Sequence, residues 1–88
     1  MKISFYRKEF LMKTVTIDLG SIDKVKNFVN TIARFDGDFD LISGRYVIDA
    51  KSIMGIFSLD LSRPLKLAMP ESEADTVMEA LKAYIVEE

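Results

Sequence analysis

Polar and apolar residues alternate along Thr14-Val15-Thr16-Ile17-Asp18-Leu19, the period of a strand with one face in a core. Gly20-Ser21 breaks the alternation, and Ile22, Val25, Phe28, Val29, Ile32 and Phe35 then recur at helical spacing. Ser21 sits where an N-cap is expected, its hydroxyl able to accept from a backbone N–H that the first turn leaves without a partner. Asp36-Gly37-Asp38 ends the helical pattern. Two short strands follow, Phe39 to Ile42 and Arg45 to Ala50, and the Ser43-Gly44 spacing predicts a tight hairpin between them. Ser52 to Leu59 is apolar and long enough for about two helical turns. Leu65, Leu67 and Met69 alternate with Lys66 and Ala68 in a fourth strand that Pro64 opens. Ala74, Val77, Met78, Leu81, Tyr84 and Ile85 make the apolar stripe of a closing helix, with Glu71, Glu73 and Asp75 at its positive end.

Strand, helix, strand, strand, helix, strand, helix is an α+β order: an antiparallel sheet with helices on one face. The order alone fits both the ferredoxin-like arrangement and other open-faced sandwiches. Residues 1 to 12 mix aromatics with Lys and Arg and hold no period. They read as an N-terminal extension, with Met12 as an alternative start, and residues 13 to 88 read as the folded domain.

Composition narrows the function. In 88 residues with 49% apolar content there is one packed core and one domain. The chain has no Cys, which excludes disulfides and thiolate metal sites, and no His, so a metal would need carboxylates alone. Asp36, Asp38 and Asp40 cluster but lack the Gly and terminal Glu of a calcium loop, and read as a solvated turn. A formal charge of −2 leaves no electrostatic footprint for nucleic acid. No apolar run approaches the roughly 18 residues of a membrane span. A charged pair, Arg7-Lys8, stands where a signal peptide would have its apolar centre. The expected compartment is the cytoplasm, with no cofactor, no metal, no nucleic acid and no membrane as partners.

The run Ala50-Lys51-Ser52-Ile53-Met54-Gly55-Ile56-Phe57-Ser58-Leu59 closely resembles the regulatory-serine segment of the histidine-containing phosphocarrier protein (HPr) family of the bacterial sugar phosphotransferase system. With Lys51 to Gly55 placed on that segment, Asp36-Gly37-Asp38-Phe39, the hairpin and the closing helix fall into register without gaps over about residues 12 to 87. The resemblance implies an HPr-like open-faced sandwich, βαββαβα, with a four-stranded antiparallel sheet and three helices on one face. In the family, a histidine at the start of the first helix takes a phosphoryl group from phosphoenolpyruvate through enzyme I and hands it to permease components. An arginine and a proline follow it. Here Ser21, Asp23 and Lys24 occupy those places, so all three depart from the pattern. A phosphohistidine is a high-energy donor and a serine phosphate is a low-energy ester. Relay through a histidine is therefore excluded in this chain, and Ser21 is left with a helix cap as its role.

The resemblance further implies that Ser52 is a phosphorylation site for an ATP-dependent HPr kinase/phosphorylase, whose product binds a transcriptional regulator. An N-cap role for Ser52 is compatible with it. Ile53, Met54 and Phe57 recur at helical spacing, and at least one belongs in the core. In HPr proteins the matching positions dock partners, and a Met suits such a surface because its thioether adapts its shape. The reading is a regulatory binding module with no enzymatic activity, similar to the catabolite-repression HPr branch that also lacks the histidine. Its partners would be the kinase/phosphorylase and a protein regulator or phosphotransferase component. The alternative is an interaction or oligomerisation domain that is never phosphorylated, with a homodimer formed by strand exchange through the first strand.

Overall fold

The computed structural model describes residues 12–86; of the expected extension over residues 1 to 12, all but Met12 lies outside them, and Met12 is the first residue of a strand. Four strands, β1 (Met12–Ile17), β2 (Asp40–Ser43), β3 (Tyr46–Asp49) and β4 (Leu65–Pro70), form one sheet in the order β1-β4-β2-β3. Every neighbouring pair is antiparallel. Helix α1 (Ile22–Ile32) links β1 to β2, and α2 (Ile53–Phe57) links β3 to β4. A 3-10 turn over Glu71–Glu73 leads into α3 (Ala74–Ala80). The fold is the open-faced sandwich that the element order and the resemblance predict.

Alternation divides the sheet into its two faces. Ile17, Leu41, Leu65, Leu67 and Met69 point into the core, where they meet Val25, Phe28 and Ile32 of α1, Ile56 of α2 and Val77 of α3. Thr14, Val47 and Lys66 lie on the open face and are exposed. Each core side chain of this size contributes about 1.5–3 kcal/mol by leaving water, so these residues carry most of the fold.

Element ends depart from the expected ones where tertiary partners set them. β1 is displaced toward its N-terminus because its register against β4 pairs Met12 with Pro70 and Ile17 with Leu65. Leu19, past the strand, is still fully buried. Helix α1 closes at Ile32, and Phe35, three residues on, packs edge to face on Phe39 at 6.2 Å. Ile22, the first apolar residue of the stripe, lies beyond the core and is exposed. At the hairpin the central residues are Gly44 and Arg45; Gly44 has φ +60°, which suits a turn with its positive φ at the first central position.

The closing helix is shorter than its apolar stripe. α3 stops at Ala80, and the chain turns to lay Tyr84 to Val86 along β1. Asp18 N–H donates to the Tyr84 carbonyl (2.8 Å), Val86 N–H donates to the Thr16 carbonyl (2.9 Å), and Ile17 bridges Ile85. The unpaired backbone groups of the β1 edge take partners that a further helical turn would not supply. Tyr84 packs edge to face on Phe28, with ring centroids 6.2 Å apart.

Candidate functional site

The segment from Asp49 to Ser58 is a sequence of local backbone captures. Asp49 Oδ1 accepts from the Lys51 N–H at 2.9 Å, and the Asp49 carbonyl accepts from the Ser52 N–H at 3.0 Å. This turn brings Ser52 to the start of α2 with extended dihedrals (φ −99°, ψ 101°). Its Oγ accepts from the Gly55 N–H at 3.2 Å, the N-cap expected of a serine there. Gly55 leaves room for that cap: a Cβ at this position would sit 3.2 Å from Ser52 Oγ. At the other end, Ser58 Oγ donates to the Gly55 carbonyl at 2.6 Å.

Lys51 faces inward beside this exposed serine. Its Nζ donates to the Phe35 carbonyl just past the end of α1 and stands 5.5 Å from the centroid of the Phe39 ring. The chain before Ser52 is thereby tied to the far end of α1 by a charge-assisted hydrogen bond and a cation–π contact.

The three apolar candidates on α2 separate. Ile53 is half-buried and packs against the core. Met54 is 77% exposed and Phe57 is 41% exposed. Ile56, between them, is fully buried and fixes which face of α2 meets the sheet. The helix therefore presents Ser52, Met54 and part of Phe57 to solvent together.

At the start of α1, Ser21 Oγ accepts from the Lys24 N–H at 3.1 Å and caps the helix. Lys24 Nζ lies 3.3 Å from Asp18 Oδ2, so an ion pair joins the chain before the cap to the first helical turn. Asp23 adds a carboxylate to that turn. Both cap roles expected from the sequence are present, whereas the Lys24–Asp18 pair, the inward Lys51 and the exposed Ile22 beside Ser21 are visible only in the fold. Asp36, Asp38 and Asp40 do not converge: no group of His, Cys, Asp or Glu that could hold a metal ion occurs among the described residues.

Between α2 and β4, Asp60 accepts from Ser62 Oγ at 2.6 Å and from the Ser62 N–H at 3.1 Å, with Arg63 3.9 Å away. The Ser62 hydroxyl, then the Ser62 N–H, hold its carboxyl below the ordinary carboxylate range against a small opposing effect of desolvation, with Arg63 adding to the lowering.

The architecture defines a small open-faced α+β domain with two serine-capped helix starts, each beside exposed apolar side chains: Ile22 at the first, Met54 and Phe57 at the second. The family model of the PTS HPr component phosphorylation site matches residues 23–87. Among solved structures, the chain is similar to HPr-C-His from Thermoanaerobacter tengcongensis, at 28% identity over 81% of this chain and 88% of that one, with a TM-score of 0.68. It is similar to the phosphocarrier protein HPr from Bacillus anthracis, at 29% identity over 85% and 95%, with a TM-score of 0.65. The histidine-containing phosphocarrier protein of Mycoplasma shares the fold at 16% identity over 82% and 88%, with a TM-score of 0.64. No curated protein matches. The chain belongs to the HPr family of the phosphotransferase system. HPr itself is a phosphocarrier and not a catalyst. The match to the family model begins at Asp23, just past Ser21.

Proposed function

We propose that this protein is a regulatory HPr-like module switched by phosphorylation of Ser52, and that it does not relay phosphoryl groups. The observation that carries the reading is the arrangement on α2: an exposed serine hydroxyl at the helix start, with Met54 and Phe57 exposed on the same short element. In the step proposed, Ser52 Oγ attacks the γ-phosphorus of ATP bound to an HPr kinase/phosphorylase. The P–O bond to ADP breaks and the hydroxyl proton leaves to the kinase's base. The phosphate then lies beside the Gly55 N–H that the hydroxyl already engages, so α2 survives the modification. Met54 and Phe57, with Ile53 supporting them, are the docking face for a protein regulator or phosphotransferase component in the cytoplasm.

Relay is rejected on chemistry. The sequence contains no His, and Ser21, at the position the family gives to its histidine, would form a low-energy ester. Asp23 in the same turn opposes a phosphate there by like charge.

A second reading has its own support: Ser52 Oγ already caps α2, so the serine is accounted for without phosphorylation. The domain would then be a plain interaction module. Intact-mass measurement after incubation with ATP and an HPr kinase separates the two. One added phosphate, absent from Ser52→Ala, supports the switch. No phosphate from a kinase active on an ordinary HPr discards the switch in favour of the interaction module. Incubation with enzyme I and phosphoenolpyruvate is expected to leave no acid-labile phosphate, and its appearance would overturn the rejection of relay.

A further inference from the structure

The sheet's two edges are treated differently by the fold. β1 is joined on its outer side at its C-terminal end, where Tyr84 to Val86 pair with Thr16 to Asp18. β3, at the other edge, pairs only with β2 among the described residues. Its phase is fixed by the Ala50 N–H, which donates to the Phe39 carbonyl at 2.8 Å. Bonded and non-bonded pairs alternate along an antiparallel ladder, so Leu41/Ile48 and Ser43/Tyr46 are the bonded pairs. Val47 and Asp49 consequently turn their N–H and C=O groups outward. The Asp49 carbonyl is taken by Ser52, and the Val47 groups face the edge.

This edge has only part of the usual protection: it is four residues long and flanked by charges. It contains no proline and no lysine, and its exposed side chains include Tyr46 and Val47, at 66% and 60% exposure. Its charges, Arg45 at one end and Asp49 at the other, have opposite signs and are both exposed. A strand with that distribution is complementary to itself when reversed.

We propose that the outer edge of β3 is a contact between two copies of this chain, paired antiparallel about a two-fold axis at Val47. The axis makes Val47 and Val47 of the partner subunit a bonded pair that exchanges two N–H···O=C bonds, the outward phase the ladder dictates. Tyr46 then stands opposite Ile48 of the partner subunit. Arg45 stands opposite Asp49 of the partner subunit, twice by symmetry. Asp49 uses Oδ1 for the Lys51 N–H, and its other oxygen meets the guanidinium. Two four-stranded sheets become one continuous sheet. With only four residues in the strand, the buried area falls well below the ~1,000 Å² of a stable interface, so the dimer is weak and concentration-dependent. The inference does not depend on Ser52 being phosphorylated.

Sedimentation velocity of the full chain, from micromolar to millimolar concentration, tests it. The expected result is a reversible monomer–dimer equilibrium. Arg45→Glu and Asp49→Lys, each alone, place like charges opposite one another at both ends and should weaken association by roughly tenfold or more. An equimolar mixture of the two variants restores opposite charges at both ends and should recover the dimer, a result that misfolding could not produce. Val47→Pro removes an outward N–H without touching the β2 ladder and should leave a folded monomer. A wild type that stays monomeric throughout would overturn the proposal. So would a dimer that survives all three substitutions, which would place the contact at residues 1 to 11 or in exchange of β1, and so would a mixture that fails to associate.

Discussion

Ser52 caps α2 through the same oxygen that the proposed phosphorylation would modify, and the cap can be weighed by substitution. As an N-cap it accepts from the Gly55 N–H, so Ser52→Ala should lower stability by about 1 kcal/mol, measured by urea unfolding. Ser52→Asp retains an acceptor of equal capping strength and should fall within a few tenths of a kcal/mol of wild type. Equal stability in all three proteins would mean the cap contributes nothing to the fold. A second residue-scale effect lies at Asp60, whose carboxyl is held low chiefly by the Ser62 hydroxyl. Removing that donor in Ser62→Ala should raise the Asp60 titration midpoint toward the ordinary value, read from its side-chain carbon signal by NMR. The sign for stability follows. A depressed carboxyl stabilises the fold above its unfolded pKa, and that contribution is lost as pH falls through the folded value, so only the loss is confined to acid conditions. Because Asp60 is exposed, the NMR midpoint is where the effect is read. The serine caps were legible in the sequence because capping is decided within four residues. Lys51 was not, since its acceptor is the carbonyl of Phe35, 16 positions earlier, and only the fold brings it near.

At the scale of the element, α2 is a five-residue helix held at both ends by serine hydroxyls and pinned to the sheet by Ile56. Ile56→Ala empties a fully buried site and should cost about 2–5 kcal/mol. Met54→Ala removes a side chain that meets solvent and should change stability by no more than about 0.5 kcal/mol. If Met54 belongs to a docking face, the same substitution should reduce capture of a protein partner severalfold, compared by titration calorimetry with a substitution on the opposite face such as Thr14→Ala. A large loss of stability in Met54→Ala would instead mark it as structural and remove it from the face. The sequence separated these residues poorly, because Ile53, Met54 and Phe57 share one helical period and only the tilt of α2 on the sheet decides which is covered. The strands show the opposite balance. Their inward sets, Val15 and Ile17 in β1 and Leu65, Leu67 and Met69 in β4, were plain from alternation. Their ends were not, because Met12 is drawn into β1 by pairing with Pro70.

For the whole molecule, the decisive departure from the sequence pattern is the C-terminal segment. The apolar stripe through Leu81, Tyr84 and Ile85 predicts helix throughout, and periodicity cannot register that β1 would be left with an unpaired outer edge. Turning after α3 places Tyr84 against Phe28 and gives the β1 edge two backbone hydrogen bonds. The same turn occupies the edge through which exchange of the first strand between copies would begin, and it leaves β3 as the sheet edge without a partner among the described residues. A chain ending at Ala83 should therefore behave differently from one that merely loses a frayed tail. It forfeits two edge hydrogen bonds and the burial of Tyr84 and Ile85, together on the order of 2–4 kcal/mol, which urea unfolding would register. It also exposes β1, so its association should no longer be abolished by Val47→Pro, whereas that of the full chain should be. If the truncated chain keeps the stability of the full one, the C-terminal segment is an ornament, and β1 must be protected by something other than its pairing with Tyr84 to Val86.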